Sequence, residues 1–389
     1  MQAAVTRKTT GPELCPMSWK REPARASRPG PAHVWGHPAS FRSLLLGCVG
    51  SGPQAPAASG GPAFKPWASG LALLASLAVA APLSAHAASL AYVTNERDNT
   101  VSVIDLDQMK TVNTIPVGQR PRGITMTKDG KSVLVCASDD DTIQVIDVAT
   151  QKVMGDLPSG PDPETFALAA SGDPLFVSNE NDNMVTAIDV ATHKAIAHIP
   201  TGVEPEGMAV SPDGQTIVNT SETTNMAHFI DFRTMKPVAN VLVDPRPRIA
   251  QFRHDGSEVW VSSELGGTVS VIDPKDHTIT HKISFAVQGL RPEVIQAVGV
   301  RFTPDDKTAF VALGPANRIA VVDTATYTVR KYLLVGQRVW QMAFTADSKY
   351  LLATNGLSND VSVIDVAGPT VVKSIQVGRL PWGVVAAPQ

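Results

Sequence analysis

Cysteine is scarce in this chain, with three residues in 389. Two of them, Cys15 and Cys48, precede the patterned part of the sequence, which leaves Cys136 alone. A single thiol cannot close an internal disulfide, and the sequence has no C-x-x-C-H motif for covalent haem. Cys136 falls in a predicted buried strand, so we expect it to pack as an unreactive small hydrophobic residue.

A membrane-spanning apolar run is also missing. The segment GLALLASLAVA at 70–80 is too short to cross a bilayer comfortably. It follows Lys65 and precedes the A-x-A triplet 85–87, an order that predicts a secretory signal at 65–87 cleaved after Ala87. We therefore expect a periplasmic protein without a membrane span after cleavage. Residues 1–64 show no apolar period, and we expect a start codon assigned too far upstream or, alternatively, a disordered pro-segment.

Basic residues are in deficit once the predicted signal is removed. Residues 1–87 hold 8 of the 33 Lys and Arg and 2 of the 36 Asp and Glu, which leaves 25 basic and 34 acidic residues. The processed chain then has a net charge of −9. Nucleic-acid binding needs a basic face to neutralise phosphates, so this balance argues against it.

The sequence does contain a recurring aspartate. It closes a V-x-x-I-D-like stretch seven times, at Asp105, Asp147, Asp189, Asp231, Asp273, Asp323 and Asp365. The spacings are 42, 42, 42, 42, 50 and 42 residues, and a period of about 40–45 is typical of four-stranded propeller blades. Seven equivalents in a ring would lie far apart. We therefore interpret each as a turn residue that accepts backbone N–H groups, not as a metal ligand or catalytic acid.

Each copy is predicted to form four short strands. In the second copy they are GITMT (123–127), SVLVCAS (132–138), TIQVIDV (142–148) and KVMGDL (152–157). The chain enters at LAYVTN (90–95), which matches a second strand, and ends at WGVVAAP (382–388), which matches a first strand. The sequence therefore predicts an all-β fold over 88–389, a seven-bladed β-propeller of four-stranded antiparallel blades closed by pairing of the N- and C-terminal strands. We expect a monomer.

Candidate binding residues lie where the repeats differ, in the inter-blade link V-G-x-x-P-x-G. We expect its last variable residue to line the mouth of the central channel. Around the ring this residue is Arg122, Glu164, Glu206, Arg248, Val298, Trp340 and Trp382. Two residues earlier the series is Arg120, Asp162, Glu204, Arg246, Gln296, Arg338 and Leu380. The predicted channel-mouth site consists of Arg120, Arg122, Glu164, Glu206, Arg246, Arg248, Arg338, Trp340 and Trp382.

Two interpretations of this mouth stay open. In one, Arg122 pairs with Glu164 and Arg248 with Glu206 across adjacent blades, and the tryptophans plug the channel. Exposed pairs of this kind contribute only about 0–1 kcal/mol each. In the other, exposed indoles form a stacking wall, and the guanidinium groups hold a carboxylate or the acidic patch of a partner. An 8-residue insertion within 285–298 is expected to open onto the same face.

The motifs resemble those of a known family. Tyr92-Val93-Thr94-Asn95 spells the YVTN signature, and NTVSVID (99–105), VGQRPRG (117–123) and SPDG (211–214) are similar to the YVTN β-propeller repeat, which is a WD40-like repeat. Seven complete copies further resemble the propeller proteins associated with PQQ-dependent alcohol catabolism. That resemblance implies a non-enzymatic periplasmic accessory of a quinoprotein alcohol-oxidation system. Its implied partners are a quinoprotein dehydrogenase, a c-type cytochrome or a transport component.

No resident cofactor is expected, because the tryptophan-docking repeat, eight blades and calcium-binding carboxylates of quinoprotein dehydrogenases are absent from the sequence. PQQ as a ligand would have to stack on Trp340 and Trp382, with Arg248 or Arg122 on its carboxylates. The alternatives are a lactonase-like hydrolase that uses Glu164 and Glu206, or a cell-surface interaction module. His228 is the one histidine placed to approach the mouth, as a remote candidate haem-d1 ligand.

Overall fold

The structure is a computed structural model that describes residues 89–388. The predicted signal at 65–87 and the segment 1–64 lie outside the described residues. Within 89–388 the chain forms seven four-stranded sheets, and its helical segments there are two 3-10 turns, Ser138–Asp140 and Pro292–Val294. No helix in this range has the length and apolarity needed to cross a bilayer. The predicted seven-bladed, all-β propeller is confirmed.

Every blade is an antiparallel meander whose first strand lies beside the first strands of its neighbours, around the axis. From inside outward, the first four blades are β28 (Pro381–Ala386), β1 (Leu90–Asn95), β2 (Thr100–Asp105), β3 (Lys110–Pro116); β4 (Pro121–Met126), β5 (Ser132–Ala137), β6 (Thr142–Asp147), β7 (Lys152–Pro158); β8 (Pro163–Leu168), β9 (Leu175–Asn179), β10 (Met184–Asp189), β11 (Lys194–Pro200); β12 (Pro205–Val210), β13 (Thr216–Ser221), β14 (Met226–Asp231), β15 (Lys236–Leu242). The other three are β16 (Pro247–Phe252), β17 (Val259–Ser263), β18 (Thr268–Asp273), β19 (Thr278–Ser284); β20 (Val300–Phe302), β21 (Thr308–Ala312), β22 (Arg318–Asp323), β23 (Thr328–Leu334); β24 (Val339–Phe344), β25 (Tyr350–Asn355), β26 (Asp360–Asp365), β27 (Thr370–Gln376).

The ring closes as the sequence predicts. β28, from the C-terminal end, pairs antiparallel with β1, with Ala91 opposite Ala386 and Val93 opposite Val384. This pairing removes the two sheet edges that an open ring would expose.

Burial falls off from the middle of each blade to its outside. In β2 all residues but Thr100 are buried, whereas in β3 only Ile115 is. Stacked neighbours cover both faces of the middle strands, so these strands are apolar on both faces instead of alternating. The outer strand has one covered face at most, which explains its polar sequence. Cys136 is buried in β5, as predicted, and burial raises the pKa of its thiol well above the ordinary value.

The recurring aspartates are turn residues, as predicted. Asp147 accepts hydrogen bonds from the backbone N–H of Thr150 at 2.7 Å and from its hydroxyl at 2.6 Å. Asp231 repeats both contacts with Thr234. The side chain thereby satisfies the donors of the turn between the third and fourth strands, which accounts for its return in every blade.

Candidate functional site at the channel mouth

A side-chain clamp, formed by an asparagine or in one blade by Asp141, fixes the inter-blade links around the mouth. Asn225, in the turn between the second and third strands, accepts the backbone N–H of Arg246 through Oδ1 at 3.0 Å. Equivalent bonds join Asn99 to Arg120, Asp141 to Asp162, Asn183 to Glu204, Asn317 to Arg338 and Asn359 to Leu380. Each of these link residues has a positive φ between 53° and 58°. The clamp holds this uncommon backbone, and with it the direction of the mouth side chains.

The insertion interrupts this clamp. Gly267 occupies the asparagine position, and a Cβ built there would lie 2.7 Å from the carbonyl oxygen of Ile295. Residues 288–293 of the insertion are exposed, while Ile295 and Val298 are buried in the core. The expectation that Val298 rims the channel is therefore wrong, because the longer link carries it into the strand ladder, where its N–H bonds the carbonyl of Ala312.

A buried charge cluster joins the first three blades. Arg122 contacts Glu164 with Nη1 at 2.5 Å and Glu96 with Nη2 at 3.4 Å. Arg120 contacts the other oxygen of Glu164 at 3.1 Å and also bonds Asp162 and Asp139. Glu164 is fully buried, and these two guanidinium groups supply the main compensation for its charge in this low-dielectric site.

A second cluster surrounds Arg248, which is 4% exposed. Its guanidinium contacts Glu206 at 3.0 Å, Glu264 at 3.7 Å and, more closely, Glu222. Arg246 contacts Glu222 at 2.9 Å and Glu264 at 3.1 Å from the solvent side. Glu264 is also bound by Arg338 at 2.6 Å, and Arg338 reaches Gln296 of the insertion at 2.7 Å.

Both cross-blade pairs of the first interpretation are thus present, and they are not exposed rim pairs. Glu164, Glu206 and Arg248 are all at least 96% buried. The reason is a second ring of side chains, from the turn between the second and third strands, that covers them. Breaking such a buried pair costs about 3–5 kcal/mol, far more than an exposed rim pair contributes.

That second ring is the part of the site that the sequence reasoning missed. It lies nine residues before each recurring aspartate and consists of Glu96, Ser138, Glu180, Glu222, Glu264, Gly314 and Gly356. The repeat period was sufficient to find it. Its two glycines lie in the blades that carry Val298 and Trp340, on the apolar side of the mouth. A Cβ at Gly356 would come within 2.7 Å of Trp340 Nε1. Carboxylates on one side and glycines on the other therefore match the arginines and the indoles that they cover.

The two tryptophans of the mouth lie close together and are largely covered. Trp382 is 2% exposed and Trp340 is half-buried, with ring centroids 6.5 Å apart and planes inclined by 32°. Arg338 lies 4.1 Å and Arg248 5.5 Å from the Trp340 centroid. These distances are those of cation–π contacts, so the indoles are held by the same arginines that bind the carboxylates. Of the two indoles, only that of Trp340 presents apolar surface at the mouth.

Two carboxyl groups of the mouth are protonated more readily than usual. Burial, and then the charge and hydrogen bond of Glu164, raise the pKa of Glu180 to about 7. Burial raises the pKa of Glu206 well above its ordinary value, although Arg248 opposes the shift. The pKa of Glu164 is lowered, because Arg122 and Arg120 outweigh its burial. Glu180 and Glu164 therefore share a proton near neutral pH.

One group of three acids in the described chain is close enough to hold a cation. Oxygens of Asp162, Glu164 and Glu180 lie within 4.8 Å of one another. Arg120 and Arg122 already bind two of these carboxylates, so a metal ion would have to compete with guanidinium groups in place.

His228 reaches this face but is engaged within the protein. Its Nε2 accepts the N–H of Gly202 at 3.0 Å, and its Nδ1 lies 2.6 Å from Asn240 Oδ1. Burial lowers its pKa, which favours the neutral ring. With both nitrogens occupied, the imidazole is a structural support and offers no lone pair to a metal or a haem.

Comparisons with known proteins agree with the propeller fold. The sequence model of the YNCE-like beta-propeller family matches residues 68–164, and that of the Choice-of-anchor I domain matches residues 183–350. No curated protein matches the chain.

Among solved structures, the hydrazine synthase of Kuenenia stuttgartiensis superposes with a TM-score of 0.66 at 19% identity, over 71% of this chain and 92% of that one. A functionally unknown protein from Desulfotomaculum acetoxidans DSM 771 gives 0.66 at 15% identity, over 77% and 99%. The dihydro-heme d1 dehydrogenase NirN, in complex with DHE, gives 0.59 at 17% identity, over 80% and 78%. At these identities the likeness to solved structures shows a shared propeller fold. The amino-terminal part of this chain, residues 68–164, is similar to the YNCE-like family.

Proposed function

We propose that this chain is a non-enzymatic binding propeller that docks a protein partner on its channel mouth. The observation that carries the proposal is the frame around Trp340, a half-buried indole held between Arg338 and Arg248 at a mouth whose charges are fixed by ion pairs. A preorganised aromatic residue surrounded by charges is the usual anchor of a protein interface.

The net charge of the mouth indicates which charge the docking surface of the partner carries. Each of the five mouth arginines already contacts a carboxylate, so none is free to hold an acidic patch. Without Glu180 and Glu206, whose pKa values are raised, the carboxylates still outnumber them and are Glu96, Asp162, Glu164, Glu204, Glu222 and Glu264. Complementarity therefore favours a partner with a cationic patch around an apolar recess for Trp340.

The proposal places the protein in the periplasm as an accessory of a PQQ-dependent alcohol-oxidation system. Its partner there is a quinoprotein dehydrogenase, a c-type cytochrome or a transport component. Support for this setting comes from the YVTN motifs and the signal-like segment at 65–87, and the mouth supports docking by protein surface over capture of PQQ itself. PQQ would need two open indoles, and Trp382 is 2% exposed.

The test is capture from the native host. The tagged full chain is expressed in its own host during growth on an alcohol, cross-linked, and recovered with bound proteins for mass spectrometry and visible absorbance. We expect a quinoprotein dehydrogenase, cytochrome or transport component, and a loss of about tenfold or more in recovery with Trp340→Ala. The matched control is Lys307→Ala on the opposite face, where the side chain is 80% exposed. No specific partner, or equal loss in both variants, would contradict docking at the mouth.

A second candidate is metal-assisted hydrolysis of a lactone, favoured by the three convergent carboxylates of Asp162, Glu164 and Glu180. Metal analysis of the purified protein and lactone turnover decide it. Stoichiometric metal together with turnover lost in Glu180→Gln would replace the docking proposal.

A further inference from the structure

The first strands of the blades surround a partly open cavity behind the mouth. A cavity of about 270 Å³ runs along the first strands, from Thr165 and Trp382 just inside the mouth to Leu168 and Val210 near the other end of β8 and β12. Its size equals about nine waters at roughly 30 Å³ each, which suits a small molecule. The buried ion pairs lie at its mouth end, and its lining extends to the turns between first and second strands at the other end.

One charged side chain reaches this cavity. Among the residues that the structure describes, Arg301 is the sole ionisable group in the lining. Its Nη1 donates to Gln251 Oε1 at 3.2 Å and to the carbonyl of Val300 at 2.8 Å. Within residues 89–388 no carboxylate pairs with it, since burial is the one influence on its pKa, and both of its hydrogen bonds come from Nη1 and leave Nε and Nη2 free. Burial without a counter-charge lowers the pKa of Arg301 to about 10.

Two further polar groups of the lining lack partners. The indole N–H of Trp382 and the Oε1 of Gln341 are buried and make no hydrogen bond with any described residue. Trp382 is 2% and Gln341 6% exposed. Buried polar atoms without partners are uncommon and costly in native proteins, so these two groups, beside the partly satisfied guanidinium of Arg301, point to a polar occupant.

The remaining walls are apolar and come from Phe166, Met208, Ile249 and Val384. One guanidinium compensates one negative charge, and its free Nε–Nη2 edge matches the two oxygens of a carboxylate. Apolar walls around a single charge favour a short organic chain or ring over a multiply charged oxyanion such as phosphate.

We propose that this cavity binds a small organic monocarboxylate, with its carboxylate on Arg301 and its apolar part against Phe166 and Met208. The site lies inside the mouth, shares Trp382 with it, and does not depend on partner docking. It uses the one arginine of the described cavity lining, which no carboxylate pairs, in a ring of otherwise uncharged residues three positions beyond the mouth ring.

Calorimetry on the full-chain protein tests this in low-chloride buffer at pH 7, with acetate, benzoate and inorganic phosphate as probes. We expect saturable 1:1 binding of a carboxylate, weaker binding of phosphate, and at least about a tenfold loss of affinity in Arg301→Met. Arg330→Met, on the exposed outer strand β23 and away from both the cavity and the mouth, is the matched control and should keep full affinity.

A second variant separates loss of binding from loss of folding. Ala167→Leu keeps Arg301 but fills part of the cavity, so it should block benzoate more than acetate. Absence of saturable binding by either carboxylate, binding unchanged in both Arg301→Met and Ala167→Leu, or tighter binding of phosphate would overturn the proposal.

Discussion

The central channel holds two kinds of arginine. At the mouth, Arg122 and Arg248 each lie against two or more carboxylates. Deeper in the channel, Arg301 is satisfied only in part, by a glutamine and a backbone carbonyl. A paired buried charge holds its surroundings in one geometry, whereas an unpaired one keeps donors for something that arrives from outside. The mouth is therefore a rigid frame for docking, and the cavity is the place for a small ligand.

Removing one arginine of each kind gives the largest expected contrast. Arg248→Met leaves Glu206, Glu222 and Glu264 without their shared cation and should lower the free energy of unfolding by about 3–5 kcal/mol. Arg301→Met removes a buried charge that has no counter-charge, so it should change stability by less than about 1 kcal/mol or raise it. Urea denaturation at pH 7 in low-chloride buffer measures both. Equal losses would erase the distinction between the two arginines.

A smaller effect is expected from pH. Because the pKa of Glu180 is raised from 4.5 to about 7, the folded protein binds this proton more tightly than the unfolded chain does. The stabilisation is fully present below pH 4.5 and is lost as pH rises through about 7. The slope for one group cannot exceed about 1.4 kcal/mol per pH unit, and partial exposure of Glu180 reduces it.

Glu180→Gln should flatten the dependence of unfolding free energy on pH between 5 and 8 (about the window set by the two pKa values). Part of the slope remains, since the raised pKa of Glu206 acts in the same direction. Glu293→Gln, in the exposed part of the insertion, is the matched control and should leave the slope as it was. A slope that Glu180→Gln does not alter would contradict the shared proton with Glu164.

The sequence predicted the fold in full because one aspartate marks every blade, and a fixed period leaves few architectures. It also located the mouth, since the link residues of all blades follow the same period. It did not predict how deeply the charged residues of the mouth are buried. Glu164 and Arg248 are covered by Glu180, Glu222 and Glu264, whose ring was overlooked, and coverage depends on how two rings interlock in space. Arg301 was missed because only the mouth positions of each first strand were compared around the ring.

The most direct test of the two-arginine account is a crystal soaked in bromide at neutral pH, with the anion located by its anomalous scattering. The account predicts a bromide ion beside the free Nε–Nη2 edge of Arg301 and none on Arg120, Arg122, Arg248 or Arg338, because carboxylates occupy those guanidinium groups. Bromide on the mouth arginines together with none at Arg301 would contradict it.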